Sequence, residues 1–159
     1  MTDRLDERTH YEAVGDIRYA ARYFALQCRP YGKIEGFFKL VSIVAGSSAF
    51  AGFVAQNSSL AGIAALVTAT ATALDIVLSP GNKKQTCAEL VRRYTDLERL
   101  SKGLSLDELD ERIYDLRQTD APNIEALRVP AYNDSVVARG RASERLNMTR
   151  WQRFMAWVS

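Results

Sequence analysis

Two apolar stretches decide the fold: FFKLVSIVAGSSAFAGFVA at residues 37–55 and LAGIAALVTATATALDIVL at residues 60–78. Each stretch has one charged residue near its edge, Lys39 in the first and Asp75 in the second. A helix needs about 20 mostly apolar residues to cross the hydrocarbon core of a bilayer. Only the uncharged residues 56–59 separate the two stretches. The pattern predicts an all-α protein whose segment 37–79 is a transmembrane helical hairpin.

A buried hairpin in a soluble helical bundle is the alternative reading of these stretches, because both are rich in Ala, Gly, Ser and Thr. Soluble helices, however, usually present a charged or polar face, and these stretches offer only Ser and Thr. The overall composition, with 25% charged residues and a net charge of +2, hides the uncharged segment. It also argues against binding of a nucleic acid duplex, which needs a strongly basic surface. We expect the lipid bilayer to be the partner of the apolar segment.

Basic residues flank the apolar segment on both sides. Arg22, Arg29 and Lys33 precede the first stretch, and Lys83 and Lys84 follow the second. Because cytoplasmic loops carry the excess of Lys and Arg, this distribution predicts cytoplasmic termini and an outer turn. We expect Lys39, Lys83 and Lys84 to anchor the spans at the inner interface. The first apolar stretch begins too far into the chain for a signal peptide.

The flanking regions are predicted to be cytoplasmic and helical, over residues 1–36 and 80–159. Residues 3–29 favour a helix that ends at Pro30 and Gly32, and residues 84–102 favour another. Ser105 and Glu108 form a capping-box pattern that opens a further short helix. Residues 131–140 fit either a short helix or an irregular segment. The apolar seams of the first two helices are Val14, Ile17, Ala21, Phe24 and Cys28, then Leu90, Val91, Tyr94, Leu97 and Leu104.

The last stretch, NMTRWQRFMAWVS at residues 147–159, has aromatic and basic residues at helical spacing. It fits an amphipathic helix lying on the inner leaflet, with Trp151 and Trp157 as interfacial anchors. A docking helix whose aromatic side chains pack on protein is equally compatible with the sequence.

The chain contains one His and two Cys, so it has few of the side chains that commonly act as catalytic bases, nucleophiles or metal ligands. The sequence lacks the common zinc, nucleophile-elbow and phosphate-loop motifs. We therefore expect no catalytic residues, no metal site and no cofactor.

Small and hydroxyl residues in the spans suggest helix association. Close helix packing in lipid favours small residues, and we expect it at Ala61, Ala65, Ala69, Ala73 and Gly52. Because two helices cannot enclose a wet pore, a channel would require a homo-oligomer. The candidates for lining such a pore are Ser48, Thr68, Thr72 and Asp75. Asp75 fits a ring at the inner mouth that favours cations. It also fits a carboxylate that snorkels to the interface or pairs with Lys39.

Three local sequences, together with this layout, resemble the SLATT family. They are YAARYFALQCR at 19–29, AELVRRYTDLERL at 88–100 and APNIEALRVPAYND at 121–134. The resemblance covers roughly residues 10–135. SLATT proteins are two-transmembrane effectors associated with nucleotide second-messenger synthases and SLOG sensors.

The resemblance implies a bacterial antiviral or conflict-system effector in the inner membrane. Such a protein would form pores when a nucleotide second messenger or a sensor partner signals, and would depolarise and kill the cell. A cyclic nucleotide, or a protein that senses or makes one, is then the expected activator. Arg18, Arg22, Arg92 and Arg93 are candidates for contacting it, or they act as anchors on the positive side. The alternatives are a two-span anchor that recruits a cytoplasmic partner and a soluble helical interaction domain.

Overall fold

The computed structural model describes residues 8–159, so residues 3–7 of the first predicted helix lie outside the described part. Helices account for 84% of this part, which contains no strand. The α-helices are α1 (His10–Val54), α2 (Ser58–Leu78), α3 (Pro80–Leu100), α4 (Leu106–Arg117), α5 (Arg128–Ala138) and α6 (Arg150–Val158). Short 3-10 helices lie at Ser101–Gly103, Glu125–Leu127 and Ala142–Glu144. The predicted all-α class is confirmed.

Helix α1 is longer than the sequence predicts. We expected Pro30 and Gly32 to end it, and that expectation was wrong, because α1 continues without interruption to Val54. A proline inside a helix loses one backbone hydrogen bond and costs about 3 kcal/mol. Pro30 is itself buried, so the packing of the turns around it offsets this cost.

The chain divides into two compact units, and one of the two boundaries between them lies at Pro30. One unit, here called the helical unit, joins the chain up to Arg29 with Gln85–Ser159. The other, here called the apolar unit, is Pro30–Lys84 and contains both apolar stretches.

The helical unit has its main core where α1, α3 and α4 meet. The buried members of this core are Ala13, Ile17, Leu90, Tyr94, Leu97, Leu109 and Ile113. Both predicted seams contribute to it, and Val14, Ala21, Phe24 and Leu104 pack around its edge. The predicted capping box is present at the start of α4, where Ser105 accepts from the amide of Glu108. Periodicity and capping therefore placed this part of the fold correctly.

A second, smaller core joins α1 to the C-terminal helices. Tyr23, Leu127 and Ala131 are buried there, and Met155 of α6 packs against them. The buried Gln27 side chain accepts a hydrogen bond from the amide of Ile124 at 3.1 Å. Residues 131–140, for which the sequence left two readings open, are mostly helical as part of α5.

In the apolar unit, α1 and α2 are joined by a tight turn. Gln56 has a positive φ of 56°, and the amides of Gln56 and Asn57 donate to the carbonyls of Phe53 and Gly52. These two bonds form a Schellman motif that closes the end of α1. Asn57 then caps α2 by accepting from the amide of Leu60 at 3.1 Å.

Ser79 alone separates α2 from α3. Its backbone is left-handed, with a φ of 46°, and Pro80 follows as the first residue of α3. Proline suits this position because the first amide of a helix needs no partner within the helix. We expected this helix to begin near Lys84, and that bound was wrong by about one turn.

The core packing can be tested on two neighbours in α4. Ile113 is 2% exposed and Tyr114 is 66% exposed. We expect Ile113→Ala to destabilise the helical unit by about 2–5 kcal/mol, since it leaves a cavity in the main core. Tyr114→Ala serves as the control and should change stability by about 0.5 kcal/mol or less.

The measurement is denaturant unfolding of the detergent-solubilised full chain. The fluorescence of Trp151 and Trp157 reports on the helical unit, because both residues lie in α6. Equal unfolding midpoints for the two variants would contradict this assignment of the core.

Candidate functional site

The apolar unit packs small residues inside and large ones outside. Within Ser58–Leu78, five residues are buried or half-buried, and they recur at intervals of three and four. They are Ala61, Ala64, Thr68, Ala71 and Asp75. This alternation averages 3.5 residues and keeps one stripe of a helix facing a partner helix. We call these five residues the α2 seam.

The partner of the α2 seam is the second half of α1. Gly52 is buried, and a Cβ placed on it would lie 2.8 Å from the backbone nitrogen of Ala61. Ser42, Ala45 and Ala49 precede Gly52 at the same alternating intervals and are half-buried. Only glycine allows the two backbones to come this close, so the helix contact depends on Gly52.

Large apolar side chains point away from this contact. Phe53 is 76% exposed and Val77 is 78% exposed. In the most apolar windows of the two long helices, only 6% and 11% of the residues are buried. A core helix of a soluble protein would be mostly buried. The described chain thus has two helices long and apolar enough to cross a membrane.

The predicted helix-packing residues divide into two groups. Gly52 and Ala61 touch each other, whereas Ala65, Ala69 and Ala73 are exposed. A strict four-residue repeat advances about 40° around the helix at each step, so it drifts off any one face. The intervals of three and four that include Ala64 and Ala71 are the pattern we missed.

The predicted pore-lining residues differ in their exposure within a single chain. The hydroxyls of Ser48 and Thr68 donate to the carbonyls of Val44 and Ala64, one turn earlier in their own helices. Both residues are half-buried, as is Asp75, whereas Thr72 is exposed.

Charged residues gather at one end of the apolar unit. Glu35 accepts from Lys39 at 2.5 Å and from Lys84 at 3.3 Å, which lowers the pKa of its carboxyl below the usual range. Lys83 lies 6.0 Å from the ring centre of Tyr31. A cleft of about 320 Å³ at this end is lined by Glu35, Lys39 and Asp75, among others. The predicted anchors Lys39, Lys83 and Lys84 are therefore at one end, and Lys39 pairs with Glu35 rather than with Asp75.

The four predicted arginines lie in two separate places in the helical unit. Arg18 and Arg22 line a cleft of about 370 Å³ between α1, α3 and α5. Arg92 and Arg93 lie outside it and bind Glu89 at 2.8 and 2.7 Å, which lowers the pKa of that carboxyl to about 2. The sequence-based prediction placed these four arginines together. It did not include Arg139, the third arginine of the cleft, which directly follows α5.

The C-terminal helix α6 presents an aromatic row to the outside. Trp151 and Phe154 stack with ring centres 5.6 Å apart, and Phe154 and Trp157 follow at 6.3 Å. Trp157 is 81% exposed, while Met155 turns inward to the second core. The backbone carbonyl of Ser159, just after α6, accepts from Arg29 at 2.8 Å. One face of α6 thus docks on protein, and the predicted anchors Trp151 and Trp157 stay on the other.

No group of three or more His, Cys, Asp or Glu side chains in residues 8–159 is placed to hold a metal ion. Comparison with known proteins finds no match: no family model, no curated protein and no solved structure is similar to the chain.

The contact between Gly52 and Ala61 can be tested with a matched pair of glycines. Gly46 lies in the same helix, and a Cβ on it would meet nothing within 4 Å. We expect Gly52→Leu to force the helices apart and Gly46→Leu to be tolerated, since overpacking costs about 1–3 kcal/mol.

Amide hydrogen exchange of the full chain in detergent provides the readout. The amide of Asn57, which donates to the carbonyl of Gly52 at 2.8 Å, should exchange roughly tenfold faster in Gly52→Leu, as that free energy implies. Equal exchange in the two variants would mean that the close approach is not required.

Proposed function

We propose that this chain is a two-span membrane protein of the SLATT type, with segment 37–79 as a transmembrane hairpin. The observation that carries the proposal is the packing of the apolar unit, in which large apolar side chains surround a seam of small residues. In water such an arrangement would expose apolar surface that a monomeric domain rarely shows. In lipid the same surface is solvated, and small residues at the contact let the helices associate.

The hairpin's orientation is supported by the uneven distribution of its charges. Lys39, Lys83 and Lys84 lie at the end where Glu35 is found, and residues 56–59 at the connecting turn carry no charge. The positive-inside rule then favours cytoplasmic termini and an outer turn. The exposed aromatic row of α6 suits the inner interface, because Trp side chains concentrate at the headgroup level.

We further propose that copies of the chain assemble into a pore in the bacterial inner membrane. Ala65, Ala69 and Ala73 are small, exposed and lie on α2 beside Thr72. Such a surface favours contact with a helix of a second copy. Together with the SLATT resemblance, this supports a conflict-system effector that depolarises the cell when a nucleotide messenger or sensor partner activates it. Activation would shift the population from a closed to an open assembly.

A membrane anchor that recruits a cytoplasmic partner is the second candidate. The placement of Ser48 and Thr68 favours it, because their hydroxyls bond to their own helices and are half-buried. An open pore would need these residues, or Asp75, to turn from the helix contact toward water. The anchor function needs no such rearrangement.

Alkaline carbonate extraction tests the membrane assignment. We expect the full chain to stay in the pellet with the membranes, as a hairpin held by two apolar helices does. A peripheral membrane protein in the same extract is the control and should be released. Release of this chain into the supernatant would contradict both membrane functions and leave the soluble interaction domain.

Current recording across planar bilayers separates the pore from the anchor. Because the open assembly is still a minor population before activation, we expect the purified full chain to give rare but discrete cation-selective conductance steps. Asp75→Asn should reduce the cation selectivity and so shift the reversal potential toward zero, because a ring of carboxylates attracts cations. Asp107→Asn, on α4 of the helical unit, is the matched control and should leave the potential unchanged. A silent bilayer would reject the pore and favour the anchor, while an unchanged potential in Asp75→Asn would remove Asp75 from the ion path.

A further inference from the structure

The helical unit contains a cleft that its core does not use. It lies between α1, α3 and α5, has a volume of about 370 Å³, and its floor and walls include alanines and a valine. Three arginines, Arg18, Arg22 and Arg139, line it, against one carboxylate, Glu98. A concave site with apolar walls and a few convergent polar groups is the usual form of a small-molecule site.

The three arginines differ in whether their guanidinium groups already form ion pairs. The Nε of Arg18 lies 2.6 Å from Glu98, and Nη1 of Arg22 lies 3.2 Å from Asp134. Arg139, by contrast, has no carboxylate of residues 8–159 within salt-bridge distance, and its Nε donates only to the backbone carbonyl of Ser135 at 3.3 Å. Guanidinium groups bind phosphate and carboxylate through paired N–H donors. Arg139 therefore keeps most of its donors available to an anion.

Arg139 is also held in place by α1. A Cβ on Gly15 would lie 3.0 Å from Nη1 of Arg139, so the guanidinium lies directly against the helix at a position without a side chain. A preorganised guanidinium loses less freedom when it binds an anion.

Ser135 gives a second and independent indication of a ligand. This residue lines the cleft and is 2% exposed, and its buried hydroxyl has no hydrogen-bond partner in the part of the chain that the structure describes. Buried hydroxyls are nearly always paired, because an unpaired one forfeits the hydrogen bonds it made to water. A small movement of the cleft wall would let an anionic oxygen of a ligand reach this hydroxyl and accept its hydrogen bond.

A second cleft of about 530 Å³ lies next to the first and shares Arg18, Thr95 and Glu98 in its lining. This extension adds two basic residues, Arg99 and Lys102. The first cleft, at about 370 Å³, already has room for more than a single phosphate, and its apolar wall suits a planar ring.

We propose that the cleft between α1, α3 and α5 binds a phosphate-bearing small molecule. Arg139 and Arg22 hold its phosphate, Ser135 donates to a phosphate oxygen, and the apolar wall packs against the body of the ligand. Every residue of the site belongs to the helical unit. A test of ligand binding at this site is therefore independent of whether the chain forms a pore. Bound there, the ligand would compete with Glu98 and Asp134 for the arginines and so rearrange the contacts between the three helices.

Calorimetric titration of the detergent-solubilised full chain tests the site with pyrophosphate, AMP and adenosine as probes. We expect AMP and pyrophosphate to bind and adenosine to bind at least about tenfold more weakly, because the arginines recognise the phosphate. Arg139→Gln should weaken AMP binding about tenfold or more, and Ser135→Ala should weaken it several-fold. Arg92→Gln is the control, since Arg92 pairs with Glu89 outside the cleft, and should bind AMP normally.

Three results would overturn the proposal: no binding of AMP or pyrophosphate at millimolar concentration, equal affinity for AMP and adenosine, or unchanged affinity in Arg139→Gln. Far-UV circular dichroism checks that each variant is folded. Should Arg139→Gln fail to fold, Gly15→Ala displaces the same guanidinium while favouring the helix, and it must then weaken AMP binding.

Discussion

The close approach of α1 and α2 at Gly52 and Ala61 is the constraint on which the apolar unit depends. A Cβ at position 52 would collide with the backbone of α2, so the contact requires glycine there and small residues along the rest of the seam. With the interior filled by Ala, Gly and Thr, the Phe, Ile, Leu and Val side chains of both helices face outward. Such packing is stable where the solvent is itself apolar.

The helical unit follows the opposite rule. Its large apolar side chains, among them Ile17, Leu90 and Leu109, are buried, and its exposed surface carries ion pairs such as Arg18 with Glu98. Surface ion pairs of this kind contribute little to stability, about 0–1 kcal/mol each. They can therefore be exchanged for a ligand at small cost, as the proposed binding of a phosphate at Arg22 requires.

Periodicity and caps made much of the fold predictable. The apolar stretches, the seams around Ile17 and Leu90 and the capping box at Ser105 all depend on neighbours within one or two turns of the chain. Pro30 was misread because a local rule counts the lost hydrogen bond but not the packing on either side of the proline. The α2 seam was missed because alanines are frequent enough in α2 to satisfy both a four-residue repeat and the alternation of three and four.

The candidate sites were less predictable, since they are assembled from distant parts of the chain. Arg18, Glu98 and Arg139 come from α1, α3 and the end of α5, and no spacing rule connects them. The buried hydroxyl of Ser135, which has no hydrogen-bond partner among residues 8–159, is likewise visible only once its surroundings are known. Arg92 and Arg93 looked equivalent to Arg18 and Arg22 in the sequence, yet Glu89, one turn away, already occupies them.

The turn at Gln56 and Asn57 has a mechanical consequence. Its two amides bond to carbonyls of α1, while the Asn57 side chain bonds to the first turn of α2, so the connection has no slack. The helices cannot slide past each other or rotate separately without breaking these bonds. A rotation of this end of α1 about its axis must therefore rotate α2 as well, so the two helices move together as one rigid pair.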